Sequence, residues 1–397
     1  SDNDSSESDN DGGKPIVVDL NGNGISITEL SQSTIFMDTT GDGLGNRTAW
    51  AGAGDAVLFV DADGDGTISE TKEFIFTEWD PTAESDLDAV KSVFDSNGDG
   101  KLTAADDAFD DFKLMVTNAD GSTVVKTLTE LGITEIDLTP DATMITLPDG
   151  SVITGKTTFT RADGSTGTVA DTMLASEATS YRVDESEDVD ALGVRTHIQT
   201  GYSSEGAISF VITSVKRSDG SEITNSYDID GDGVVDQVQR IITVTNGDGS
   251  ESRTVTNKIG SDFATGILAN ATKTTTSADV TTITIERDSI GGGWYDQTEV
   301  RTTHADESLT IVTTDRSPDG SVIRSSTETV SADGLVRTDE IDENGDGVVD
   351  LAINHTIVID ADASRSEKVE YFNADGSLRS AVTETVSADG RTKSIAR

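Results

Sequence analysis

The sequence predicts two unlike halves. The N-terminal half reads as an α+β module in which helices flank acidic loops. The C-terminal half reads as all-β, an elongated repeat of hairpins arranged as a β-meander or β-solenoid. Three observations carry this division. Around residues 86–116 the apolar side chains keep helical spacing, with Leu87, Val90 and Phe94 before an acidic loop and Phe109, Phe112 and Met115 after it. From about residue 207 the pattern alternates instead, as in Val211, Thr213 and Val215 or Val382, Glu384 and Val386. In that second half Asp-Gly turn signals return at a step of roughly 14 residues, the mark of an internal repeat.

In chain order, residues 1–14 (SDNDSSESDNDGGK) read as a disordered acidic linker, too polar to bury a core. Residues 15–175 mix short apolar segments with Asp/Asn/Gly loops and form one module. Its end, 124–175, reads as short strands punctuated by Pro140, Pro148-Asp149-Gly150 and Asp163-Gly164. Residues 176–206 read as a polar linker. Residues 207–397 are the repeat, with two near-copies, YDIDGDGVVDQ (227–237) and IDENGDGVVDL (341–351), and recurring NADGS and SADG turns.

The chain has 397 residues, with 74 Asp plus Glu against 28 Lys plus Arg, a formal net charge of −46. So acidic a surface excludes nucleic acid and anionic membrane as partners, since both need a basic one. A hydrophobic share of 34% argues against pure disorder, and an aromatic share of 5% implies a thin core. No cysteine is present, so an exported chain of this kind would draw stability from metal rather than from disulfides. No apolar run is long enough for a transmembrane helix. The chain starts at Ser1 without an initiator Met or a signal segment, which suggests a piece of a longer protein.

The acids are not spread evenly. FDSNGDGKLTAADDAF (94–109) fits the calcium loop D-x-[DN]-x-[DN]-G, with Asp95, Asn97 and Asp99 at positions 1, 3 and 5 and Gly100 at the sharp turn. Lys101 would offer its carbonyl, Thr103 sits at position 9, and Asp106 stands where Glu is usual. Calcium takes six to eight hard oxygens at about 2.3–2.6 Å, and this spacing folds that many inward. With flanking helices the loop is EF-hand-like. Asp61, Asp63, Asp65 and Thr67 begin a second loop that Glu73 would close. Asp19, Asn21 and Asn23 begin a third, and Asp38, Thr40 and Asp42 a fourth. In the repeat, Asp228, Asp230, Asp232 and Asp236 follow DxDxDGxxD, as do Asp342, Asn344, Asp346 and Asp350. There Val234 and Val348 would give carbonyls, and the loop would join two strands. The remaining Asp-Gly pairs read as plain turns.

No enzyme motif is present. His197, His304 and His355 are far apart, HExxH is absent, and no phosphate loop or nucleophile elbow occurs. Trp50, Trp79 and Trp294 are candidates for stacking on sugars, with core or hairpin packing as the alternative.

The run PIVVDLNGNGI, FMDTTGDG, TAWAGAGDAVLFVDADGDGTI, FDSNGDGKLTAADDAF and LTELGITEIDL resembles, in content and order, the calcium-dependent module of large RTX-type secreted bacterial proteins, including the self-processing module of iron-regulated RTX proteins. The later hairpins resemble the tandem repeats of similar exported proteins. The resemblance implies a secreted or cell-surface location, calcium as cofactor, and cleavage of an Asp-Pro bond just ahead of the module. Lys14-Pro15 stands at that place here, and Asp80-Pro81 lies inside the module. The expectation is therefore a structural or adhesin-type segment rigidified by extracellular calcium. A self-processing module with a displaced scissile Asp is one alternative. A module binding a glycan or protein of a cell surface or host is another.

Overall fold

A computed structural model describes residues 14–118, 121–141, 143–306, 308–332, 334–359, 364–387 and 393–396. The acidic linker expected at 1–14 lies outside the described residues except for Lys14, as do the turn signals Asp333, Asp362 and Asp389-Gly390.

The α+β expectation with EF-hand-like loops is corrected. Strand dominates throughout, and the single α-helix among the described residues is α1, Asp86–Val93. Ser85 caps it, accepting from the Asp88 N–H at 3.2 Å. Asp86 and Asp88 lie in its first turn and Lys91 in its last, each suited to the helix dipole. No second helix follows the 95–106 loop. Lys101–Thr103 is a strand, Phe109–Asp111 a single 3-10 turn, and Phe112–Thr117 a strand again. Phe109, Phe112 and Met115 have helical spacing, but Phe112 and Leu114 also alternate with Lys113, and pairing with strands on both sides decides for β.

The chain divides into two compact units. The first holds residues 14–188 with His197–Ile212 and Ile229–Gly233; the second holds Val189–Thr196, Thr213–Asp228 and the chain from Val234 onward. Residues 176–206, read as linker, carry two strands, Ser176–Val189 and Arg195–Tyr202.

In the first unit the strands are β1 (Ile16–Asp19), β2 (Asp55–Val60), β3 (Lys101–Thr103), β4 (Phe112–Thr117), β5 (Thr123–Thr127), β6 (Ile133–Asp137), β7 (Val152–Arg161) and β8 (Thr166–Met173). They form one sheet in the order β3-β6-β7-β8-β1-β2-β4-β5, with Ile145–Thr146 beside β7. Strand residues alternate between faces, and both faces are covered. Ile16, Val18, Leu58, Phe112 and Leu114 pack with Leu87 and Val90 of α1 in one core. Val17, Val57, Phe59 and Met115 pack with Trp50, Phe74 and Leu174 in another. This explains the uninterrupted apolar run of β2, which ends directly at the Asp61 loop.

In the second unit each strand from Glu222–Asp228 to Lys393–Ala396 pairs antiparallel with the next in sequence. This is a meander sheet, not the coils of a solenoid. Large buried side chains are few, so cross-strand side-chain pairs carry much of the stabilisation. Asn225 donates to Gln239 at 2.8 Å, Gln239 to Asn257 at 3.0 Å and Asn257 to Asn270 at 2.7 Å. Arg287, Gln297 and Asp315 continue the same device on later strands.

Candidate metal centres

The acidic loops that begin at Asp19, Asp38, Asp95 and Asp342 are tight turns wrapped round their first carboxylate. At Asp95, Oδ1 accepts the Gly98 N–H at 2.7 Å and Oδ2 the Gly100 N–H at 2.8 Å. Asn97 accepts from the Asp99 N–H and Asp99 from the Lys101 N–H. The other loops repeat this. Asp19 accepts from Gly22 and Gly24, and Asn21 from Asn23. Asp38 accepts from Thr40, Gly41, Asp42 and Gly43, and Asp42 from Leu44. Asp342 accepts from Gly345 and Gly347, Asn344 from Asp346, and Asp346 from Val348. A carboxylate oxygen that accepts one N–H keeps a second lone pair, so these bonds shape the loop without closing it to a cation. Burial acts to raise the Asp342 carboxyl. The N–H groups of Gly347, Gly345, Asn344 and Asp346 outweigh it and hold that group below the usual carboxylate range.

The closing acids have a different job. Asp106 accepts from the Ser96 N–H at 2.9 Å and the Thr103 N–H at 2.8 Å. Glu73 does the same across its own loop, accepting from Ala62 at 3.0 Å and Ser69 at 2.8 Å. Asp350 accepts from Glu343 at 2.9 Å. Each ties residue 2 of its loop to the chain that leaves the loop. Lys101 turns its ammonium to Glu135 at 2.6 Å, and Thr67 turns its hydroxyl to Asp65 at 2.8 Å. Val234 and Val348 point their side chains outward.

Two of the predicted sets converge most closely. The carboxylates of Asp61, Asp63 and Asp65 offer oxygens within 4.8 Å of one another, and so do Asp228, Asp230 and Asp236. Asp95, Asp99 and Asp106 form no such trio, since Asp106 faces the backbone. Asp232, through its N–H, binds Asp230 at 3.1 Å.

Two features escaped the sequence reading. Asp55, fully buried, stands directly opposite Asp19 in the β1–β2 register and accepts from the Ser26 N–H at 2.6 Å. Two acids facing each other on adjacent strands repel unless a positive partner is near. A lone acid at the head of the apolar run DAVLFV could have flagged it. The second is DSIGGGWYD, 288–296. Asp288 accepts from Gly292 and Gly293, and Asp296 from Ser289, as in the 342–350 loop. Yet Ile290 and Gly292 stand where the sister loops carry Asp or Asn. A Cβ on Gly292 would meet the Trp294 indole at 2.5 Å, so that ring lies over the position of the missing ligand.

The three long loops of the repeat share another contact. A Cβ at Gly231, Gly291 or Gly345 would fall 2.6, 2.3 or 2.2 Å from the carbonyl of Ile208, Leu268 or Val322. Each glycine also has positive φ. The corresponding Gly22, Gly41, Gly64 and Gly98 have the same φ but open space around them.

The remaining candidates sit apart from these loops. Trp50 is buried and cannot stack on a sugar. Trp79 donates from its indole to the Lys72 carbonyl at 2.7 Å and packs edge-on against Phe94. His355 meets Glu367 at 2.6 Å and His304 meets Thr310 at 2.8 Å. The Asp80 carboxylate accepts from Thr82 and Ser92, whose hydrogen bonds hold it below the usual range.

Residues 16–175 match the SPM domain family. A curated relative, the iron-regulated protein FrpA of Neisseria meningitidis serogroup C, is 30% identical over 172 residues, which is 41% of this chain and 15% of the relative. The family match falls on the stretch whose motif order resembles the self-processing module, and the chain spans only a small part of that relative. No helix among the described residues is long and apolar enough to cross a membrane.

Proposed function

We propose that the chain is a calcium-binding structural segment of an exported RTX-type protein, loose where calcium is scarce and rigid where it is plentiful. The observation that carries this is the shared backbone of the loops. In the Asp19, Asp38, Asp95 and Asp342 loops amides cage both oxygens of the first carboxylate, and in the Asp61/Asp63/Asp65 and Asp228/Asp230/Asp236 sets three carboxylates offer oxygens within 4.8 Å of one another. The likeness to the SPM family and to the meningococcal protein supports the exported, RTX-type setting. Extracellular modules bind calcium with constants of roughly 10⁻⁴–10⁻³ M, so such sites fill outside a cell and empty within it. At a hundredfold excess over its constant, each filled site adds about 2.7 kcal/mol.

Native mass spectrometry of a chelated sample, with calcium added back, tests this. The expected result is an intact chain carrying on the order of four to six ions. No gain in mass removes the reading. The SPM likeness favours one alternative, calcium-triggered cleavage. The same spectra would show it as fragments with a new end at Asp80 or near Lys14. The hydrogen bonds that occupy the Asp80 carboxylate weigh against attack on its own carbonyl.

A further inference from the structure

The 61–73 loop differs from its sisters at one atom. In the Asp19, Asp38, Asp95, Asp288 and Asp342 loops, both oxygens of the first carboxylate accept N–H groups of the loop itself. At Asp61 the Gly66 N–H reaches Oδ1 at a long 3.2 Å, and Oδ2 takes an ion pair with the Lys113 ammonium instead. Lys113 projects from β4, which pairs with β2, the strand that leads into the loop. The side chains of Lys113 and Asp61 are 21% and 5% exposed, so water screens the pair little. Asp63, Asp65 and Glu73 add three more acids to the same loop, and Ser69 bridges Asp63 and Glu73 through its hydroxyl.

We propose that Lys113 is the resident cation of the 61–73 loop: its ammonium holds Asp61 in place without metal and must give way before a divalent ion can occupy that carboxylate. This rests on the calcium reading only for its second half. The first half, a loop closed by a lysine, stands or falls by itself. The proposal makes this loop the one that stays shaped in chelator and the one whose calcium uptake is opposed from within.

Hydrogen exchange of the full chain in chelator tests the first half. Lys113→Met keeps the aliphatic stem and removes the charge. The expected result is at least tenfold faster exchange of the 62–73 amides, with the 96–106 amides unchanged; Lys113→Arg should exchange like the unsubstituted chain. Lys113→Gln serves if the methionine variant does not fold. Acylation of the unsubstituted chain gives an independent measure. In chelator Lys113 should react well below Lys126, whose side chain is 42% exposed. Calcium titration of Lys113→Met should show one site strengthened at least tenfold, about the size of one removed contact charge near the bulk-water limit of screening. If neither protein binds calcium, the functional reading fails while the exchange result still judges the lysine. Equal exchange of 62–73 in Lys113→Met and the unsubstituted chain overturns the proposal, as does a Lys113 acylated as fast as Lys126.

Discussion

The glycine at the fourth position of each acidic loop separates two kinds of site. In the N-terminal loops it provides a positive φ and nothing else. In the repeat it also lets the loop lie against the backbone of a neighbouring strand, at Ile208 and Val322. Gly345→Ala should therefore destabilise more than Gly347→Ala. Both residues sit at positive φ, a strain of about 1 kcal/mol for alanine, but only Gly345 meets a carbonyl. Thermal unfolding of the two variants in chelator gives the ranking, and equal losses would show that the loop does not bear on the strand. The acids were legible as residues because their spacing is that of a turn with inward oxygens. Their roles were not. That Asp106 and Glu73 brace backbone amides depends on where residues 96 and 62 fall, which no spacing rule states.

The elements differ in how far the sequence announced them. α1 was legible because Leu87, Val90 and Phe94 keep the spacing of one helix face. The helix expected after Asp106 fails because Phe112–Thr117 is claimed by β2 and β5, a long-range pairing that outweighs local periodicity. Asp86 of α1 and Asp171 of β8 are both buried acids. Burial pushes the Asp86 carboxyl up to about 7, against the Phe76 and Thr77 N–H groups that it accepts, and the neighbouring Asp171 adds to the rise. Burial pushes Asp171 up to about 6, partly offset by Ser85 and the Leu87 N–H. Both folded values exceed the ordinary 3.8, so between about pH 4 and about 7 the folded state holds protons that the unfolded state has lost. The contribution of this pair is full below pH 4 and is lost as pH rises through 6 to 7. Asp171→Asn should flatten that fall in urea-unfolding profiles and be the more stable form at pH 8. An unchanged pH slope would rule out the pair as its source. In the repeat, the 288–296 loop should ignore calcium. Replacing Ile290 and Gly292 by Asp and Trp294 by Val rebuilds the sister pattern, and native mass spectrometry should then show one additional ion. No extra ion would mean that ligand spacing alone does not make the site.

At the scale of the whole molecule, the alternation and the Asp-Gly steps were enough to foresee hairpin strands after residue 207, because turns and period-two strands are local, but they left meander and solenoid both open. The boundaries were not local. Residues 176–206 look like a linker by polarity, yet Ser176–Val189 is a strand whose partner, Gly45–Thr48, lies far back in the sequence. A chain with 46 excess negative charges and a thin core repels itself, and calcium bound at defined loops would relieve that repulsion. The most direct test is hydrogen exchange of the full chain with and without millimolar calcium. If calcium binds as proposed, exchange slows in the 19–24, 38–43, 95–106, 228–236 and 342–350 loops and in the strands they join, changes less at 61–73, and does not change at 288–296. Exchange that is the same in chelator and in calcium throughout the chain would contradict that binding.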